Sequence, residues 1–146
     1  AKGVIDTILK NSGAGVGEYY EIKSRAVQAK KTDIAAPEGQ LSVDVCQTEK
    51  EIVVVATIAG TKPEDIEIAV AKDMLTIRGR RSNPVAASNE DYFLNECFWG
   101  PFGRTVILPR EIKPEEVRAL FRNGILIVTL PKEQPGRPVP IVVVED

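Results

Sequence analysis

The sequence predicts an all-β protein: an antiparallel β-sandwich with a partly helical or disordered arm before it and an extended tail after it. Short strand-like apolar stretches recur between residues 41 and 131, separated by Gly, Pro and Asp turns. No helix of ordinary length fits between them, and two predicted hairpins give consistent faces. We therefore divide the chain into an arm (1–40), a core domain (41–132) and a tail (133–146).

Composition excludes several kinds of chemistry. The chain has no histidine, so no imidazole can act as a general base near neutral pH or bind a metal. Cys46 and Cys97 are its only thiols, and we expect both to be small buried side chains in a reducing cytosol. The net charge of -2 argues against wholesale binding to nucleic acid. The sequence predicts no metal, no cofactor, no integral membrane segment and no enzyme.

The arm contains one clear helical pattern. Val4, Ile5, Ile8 and Leu9 have the spacing of one short amphipathic helix. A glycine-rich stretch interrupts the pattern, and a second, poorer helical pattern runs from Glu18 to Lys31. Two interpretations stay open, a flexible tail or a mobile apolar arm.

Strand patterns begin at residue 41. Apolar and polar residues alternate in most of the predicted strands, which is typical of a sheet with one buried face. The stretch from Ile52 to Ile58 is instead β-branched and nearly continuous, as expected for a buried strand. The other apolar strand positions are Leu41, Val43, Val45, Ile66, Ile68, Val70, Leu75, Ile77, Val106 and Leu108.

Two turns fix the strand register. Asn123-Gly124 predicts a type I′ turn, because both central residues of that turn need positive φ. Lys72-Asp73 is a weaker turn signal. Pairing outward from each turn gives wholly apolar inner faces, which a slip of one residue would scramble. The inner pairs are Phe121–Leu126, Ala119–Val128, Val117–Leu130, Val70–Leu75 and Ile68–Ile77.

The tail ends in an apolar stretch. A polar, Pro-rich linker covers residues 132–138 and is expected to be extended. Val139 to Val144 then follow, all β-branched except Pro140. Left free, such a segment would be an exposed adhesive strand.

Several motifs together resemble the α-crystallin domain of small heat-shock proteins, from about Leu41 onward. Ala119–Lys132 (ALFRNGILIVTLPK) is similar to the family signature of an alanine, an Asn-Gly turn, a strand and a closing Leu-Pro-Lys. Gly100–Arg104, leading to Leu108-Pro109, is similar to the family's Gly-x-Phe-x-Arg and Leu-Pro pattern. Ala59–Ile66 resembles its link between two core strands. Two departures are the missing glycine at the Lys72-Asp73 turn and Cys97, where an arginine is common.

This resemblance implies an immunoglobulin-like sandwich and an ATP-independent holding chaperone, or holdase. Its expected partners are non-native client proteins and further copies of itself, in a cytoplasmic homo-oligomer built from strand-exchanged dimers. The alternative is a CS-domain-like co-chaperone or scaffold module, which has a similar core but usually lacks a crossing loop and an apolar C-terminal anchor. A monomer in solution would favour that alternative.

The resemblance also assigns the dimer interface. The long polar segment 81–96 is either functional or disordered. We expect Tyr92, Phe93 and Leu94 to form a strand that crosses to the sheet edge of a partner subunit; the alternative is a mobile surface loop. Arg104 is expected at the same interface, paired with a carboxylate, rather than being a solvated charge.

The tail and the arm supply the remaining candidate sites. Two of the tail residues Val139, Ile141 and Val143 would anchor the chain to a neighbouring subunit, as Val139 with Ile141 or Ile141 with Val143. The alternative is an edge strand of the chain's own domain. Leu120 and Ile127 pair on the otherwise polar face of their hairpin and are the candidate anchor-receiving groove. The candidate client-binding residues are Val4, Ile5, Ile8 and Leu9.

Overall fold

The computed structural model describes residues 3–11, 19–27 and 39–136, and its strands form two five-stranded sheets. The core domain contains strands, as the sequence predicts, and also three short 3-10 turns among its described residues. The elements are α1 (Val4–Asn11), β1 (Tyr20–Ile22), β2 (Ser24–Ala26), β3 (Gly39–Gln40), β4 (Val43–Gln47), β5 (Glu51–Thr57), β6 (Ile66–Ala71), β7 (Met74–Arg81), β8 (Gly100–Ile107), β9 (Arg118–Arg122) and β10 (Ile125–Pro131).

The two sheets pack as a β-sandwich, which confirms the predicted fold class. Sheet A has the strand order β1-β9-β10-β5-β4, and sheet B has the order β2-β6-β7-β8-β3. The pairings are antiparallel except β2 with β6 and β3 with β8, which are parallel. The inward residues of both sheets form one apolar core, as alternation along each strand requires.

The predicted register of both hairpins is confirmed. Asn123 and Gly124 have φ values of 52° and 75°, as a type I′ turn requires. Phe121 lies opposite Leu126, and the other described pairs of this hairpin follow in step. In the second hairpin, Val70 pairs with Leu75 and Ile68 with Ile77. The sequence thus predicted which residues lie side by side on the inner face of each hairpin.

The prediction of the first helix is confirmed, but the prediction of a second helix is wrong. Where the segment 18–31 is described, it is extended and forms β1 and β2. The physical reason is tertiary: each short strand pairs with the otherwise open edge of a sheet, and Val27 N–H adds a 2.8 Å hydrogen bond to the Val70 carbonyl. A weakly amphipathic helix would leave both edges unpaired.

The expectation that the cysteines are buried is also wrong. Cys46 and Cys97 are free thiols, and both are exposed. Cys46 follows the outward alternation of β4, in which Val43 and Val45 pack against the core. Cys97 lies in the long loop between β7 and β8.

Candidate interaction surfaces

Helix α1 covers part of the outer face of sheet A. It lies against β9 and β10, and Ile5 is only 1% exposed. At its first turn, the Val4 N–H donates a 2.7 Å hydrogen bond to Oε1 of Glu51. Val4 and Ile8 are half-buried, and Leu9 is exposed. Of the four candidate client-binding residues, Ile5 is therefore inaccessible while the helix is docked. The client-binding role of these residues stays a prediction.

Residues 20–26, which we call the edge strap, cross from one sheet to the other. β1 pairs with the edge of β9 in sheet A, and β2 pairs with the edge of β6 in sheet B. Between them, Ile22 is 7% exposed and belongs to the core cluster. The edge strap therefore satisfies backbone groups on two edges and fills a slot between the sheets.

Arg118 connects both N-terminal elements to sheet A. Its Nη1 donates to Oδ1 of Asp6 on α1 at 2.8 Å, and its Nε donates to Oε1 of Glu21 on the edge strap at 3.4 Å. The hydrogen bond to Asp6, with a smaller contribution from Glu21, raises the pKa of Arg118. All three side chains are partly exposed, so each pair contributes only about 0.2–1 kcal/mol.

The predicted groove residues lie together on the outer face of sheet A. Leu120 pairs with Ile127 across the β9–β10 hairpin; Leu120 is 3% exposed and Ile127 is half-buried. Both line a pocket of about 140 Å³ with Tyr19 and Ile125. The Arg122 guanidinium covers this pocket's Tyr19 ring, 4.7 Å from its centroid. The backbone edge beside Leu120 is already taken by Glu21 of the edge strap.

The loop between β7 and β8 presents apolar side chains to solvent. Phe93 is fully exposed, and Leu94 is 73% exposed. Tyr92 is half-buried, and its hydroxyl accepts a 2.8 Å hydrogen bond from Nδ2 of Asn83 within the loop. Residues 92–94 form no strand within the single chain, and their crossing to a partner stays a prediction.

Sheet A has a free edge that could receive such a strand. β4 is its terminal strand, and within the described ranges its only sheet neighbour is β5. Arg104 lies in β8, half-buried, and its Nη1 donates a 3.0 Å hydrogen bond to the Leu41 carbonyl just before β4. Its expected pairing with a carboxylate of a partner stays a prediction.

Sequence reasoning missed the burial of Lys132. This side chain is 1% exposed, and its Nζ donates a 2.7 Å hydrogen bond to the Thr48 carbonyl. Burial, together with the nearby positive charge of Arg110, lowers the pKa of Lys132. Lys132 lines a cavity of about 830 Å³ that α1 closes on one side. The sequence signal that could have indicated this burial was the closing Leu-Pro-Lys motif, in which the lysine directly follows the last strand.

The tail anchor residues Val139, Ile141 and Val143 lie outside the described residues. In the part of the chain that the structure describes, no group of three or more Cys, Asp or Glu side chains is placed to hold a metal ion. No helix in the described ranges is long and apolar enough to cross a membrane.

Comparisons with known proteins agree with this fold. The model of the Hsp20/alpha crystallin family matches residues 27–144. Small heat shock protein C2 of Rickettsia felis is 31% identical over 94 residues, 64% of this chain and 61% of that protein. The probable 15 kDa heat shock protein of Leptospira interrogans is 28% identical over 116 residues, 80% of this chain and 85% of that protein. The chain thus spans about three fifths of the Rickettsia relative.

Two solved structures superpose on most of the chain. Heat shock protein 16.0 from Schizosaccharomyces pombe has a TM-score of 0.62 at 28% identity and covers 74% of this chain and 100% of its own. A small heat-shock protein from Xylella fastidiosa has a TM-score of 0.57, also at 28% identity, and covers 72% of this chain and 96% of its own.

Proposed function

The chain belongs to the Hsp20/alpha crystallin family of small heat-shock proteins, and we propose that it is an ATP-independent holdase of the cytoplasm. It would bind unfolding proteins through apolar surface and prevent their aggregation, with no catalysis and no cofactor. Burial of exposed apolar client surface would drive the binding, because it contributes about 25 cal/mol for each Å² removed from water. Many weak sites on one assembly would raise the avidity.

The observation that carries the proposal is the apolar surface that the single chain leaves open. Phe93 and Leu94 project from the β7–β8 loop into solvent. Adjacent large apolar side chains that are exposed on a loop are typical of a surface used for association. In the proposed dimer, this loop segment crosses to the partner and adds to the free edge of β4. Exchange in both directions gives a two-fold dimer that buries both loops.

The tail is proposed to link such dimers into larger assemblies. Two β-branched side chains at i and i+2 of an extended segment project to the same side, and Pro140 lowers the cost of ordering the segment. The pocket beside Leu120 and Ile127 is an apolar surface of suitable size on the neighbouring subunit. A distinct high order structure is described for the relative from Xylella fastidiosa, which supports assembly as a property to test here.

One experiment tests both assembly and holdase activity. The purified chain is sized by light scattering, and a heat-denatured model client is then mixed with it without ATP. We expect particles larger than a dimer and suppression of client turbidity near equal mass ratios, which an inert protein of similar mass does not give. A monomer that leaves the client to precipitate would overturn the proposal and favour a co-chaperone or scaffold module.

A loop variant isolates the proposed dimer contact. Phe93→Asp with Leu94→Asp should shift the protein toward monomers, because two charges would have to be buried at the interface. Val85→Asp is the matched control, since Val85 is an exposed apolar residue of the same loop outside the crossing segment. Equal effects of the two changes on the mass distribution would contradict strand exchange at residues 92–94.

A further inference from the structure

The turn between β4 and β5, residues 48–51, holds the start of helix α1. Glu51 is only 8% exposed, and Oε1 of its carboxylate accepts the 2.7 Å hydrogen bond from the Val4 N–H. Its other oxygen, Oε2, packs closely on Gly3, where an added Cβ would lie 2.9 Å away. A carboxylate at this place satisfies a backbone donor of the first turn and opposes the positive end of the helix dipole. The position of Glu51 therefore helps to decide whether α1 stays docked.

The start of the tail holds the same turn from the other side. Residues 132–136, which we call the tail root, follow β10 directly. Each of the three successive carbonyls from Thr48 to Lys50 accepts one hydrogen bond from the tail root. Lys132 supplies two of these bonds and Gly136 supplies the third. The bonds are Lys132 Nζ to Thr48 (2.7 Å), Gly136 N–H to Glu49 (3.1 Å) and Lys132 N–H to Lys50 (2.9 Å).

The β4–β5 turn is also tied to itself. The Thr48 N–H donates to the Glu51 carbonyl at 2.8 Å, and Oγ1 of Thr48 accepts from the Glu51 N–H at 3.1 Å and from the Lys50 N–H at 3.3 Å. Such bonds between a threonine hydroxyl and the next backbone groups fix the shape of a turn. A displacement of the carbonyls that the tail root holds therefore moves Glu51 as well. The cavity of about 830 Å³ is lined by α1, the turn and the tail root, and it leaves space for this movement.

We propose that the β4–β5 turn couples the tail root to α1: detachment of the tail root draws Glu51 away from Val4 and releases the helix from sheet A. The two-state element is α1, docked or released, and both the tail root and Glu51 bias its equilibrium. A coupling of this kind is reciprocal, so release of α1 also weakens the attachment of the tail root.

The coupling would make the exposure of the arm depend on the state of the tail. Gly136 is the last described residue of the tail root, so its bond to Glu49 is the first to carry a load from the residues beyond it. Release of α1 uncovers Ile5 and the outer face of β9 and β10. Capture of unfolding proteins on this surface rests on the proposed function, whereas the coupling itself is a property of the single chain.

The attachment of the tail root can be weakened without changing α1 or the turn. Gly136→Pro removes the N–H that bonds to the Glu49 carbonyl. Gly136→Ala is the matched control, because it keeps this N–H and its Cβ approaches only the flexible end of Arg110. We expect the amides of Val4 and Thr7 to exchange about three- to fivefold faster in Gly136→Pro, as loss of one hydrogen bond allows, and within about twofold of wild type in Gly136→Ala.

A second substitution tests the route through the turn. Glu51→Met removes the acceptor for the Val4 N–H at similar side-chain length, so Val4 and Thr7 should exchange about five- to tenfold faster. In the double variant with Gly136→Pro, we expect no further acceleration, because the tail root acts through a bond that is already absent. Reciprocity predicts that the Gly136 amide exchanges faster in Glu51→Met than in wild type. Amides of β7, in the other sheet, should keep their wild-type rates.

The outcomes separate this coupling from the holdase function. Faster exchange in α1 for Gly136→Pro alone, no further acceleration in the double variant and faster exchange at Gly136 in Glu51→Met support the coupling. Equal exchange in the two Gly136 variants, fold-changes that multiply in the double variant, or an unchanged Gly136 amide overturns it. If the exchange results hold but wild type leaves a denatured client to precipitate, the holdase function falls and the coupling stands.

Discussion

Replacing Ile5 by alanine should release α1 from sheet A without unfolding the sandwich. The side chain is 1% exposed and lies outside the main core cluster, so its loss acts on docking of the helix. The substitution removes three methyl or methylene groups, worth about 0.8 kcal/mol each when buried, or roughly 2.4 kcal/mol in total. Since every 1.4 kcal/mol is tenfold, the opening equilibrium should rise about fiftyfold.

Hydrogen exchange of the helix amides measures this opening. The Thr7 amide donates to the Gly3 carbonyl at 3.1 Å in the first turn of α1, and its protection should fall about fiftyfold in Ile5→Ala. Leu9→Ala is the matched control, because Leu9 is on the same helix but exposed, and the change should cost under about 0.5 kcal/mol. Similar loss of protection in both variants, or less than a threefold loss in Ile5→Ala, would refute docking through Ile5.

Other predictions concern the core, the buried lysine and the loop. Gly79→Ala should lower the free energy of unfolding by about 1–3 kcal/mol in urea titrations, because the added Cβ would collide with the buried Phe102 ring; unchanged stability would contradict this close approach. The pKa of Lys132 is lowered in the folded chain, so between that pKa and the ordinary value of 10.5 the unfolded chain binds more protons than the folded chain. The stability of wild type relative to Lys132→Met should therefore increase as pH rises through this interval. A constant difference between the two proteins would show that the lysine is not buried in solution. Deleting residues 91–94 should convert dimers to monomers in light scattering, and an unchanged dimer would remove the crossing strand.

The sandwich and its hairpins were predictable because the information for them is local. Asn123-Gly124 determines a turn, and alternation on both sides of it determines which residues face inward. The continuous apolar pattern of β5 also indicated a buried strand. In the structure, Val53 on the outer face is buried as well as Ile52 on the core face, which explains why successive positions of β5 are apolar.

The N-terminal pairings were not predictable from local patterns. β1 and β2 are three residues each, too short for a period to be read, and their partners lie far away in the sequence. The periodicity of α1 predicted a helix but not the sheet face that it covers. The burial of Lys132 was missed because a lysine is expected at the surface unless it is paired. The proposed tail anchor and dimer contacts would involve other copies, so a single sequence supplies only the candidate residues.

The edge strap also has a consequence for folding during synthesis. Tyr20 pairs with Phe121, about a hundred residues further along the chain. At synthesis rates of about 5–20 residues per second, the ribosome completes the strap roughly 5–20 s before its partner strand exists. During that interval β1 has no partner strand in the nascent chain, and β9, when it emerges, can pair with whichever extended segment is nearest. Translation speed and the local concentration of completed chains would therefore influence whether β9 of a newly synthesised chain pairs with its own edge strap or with another chain.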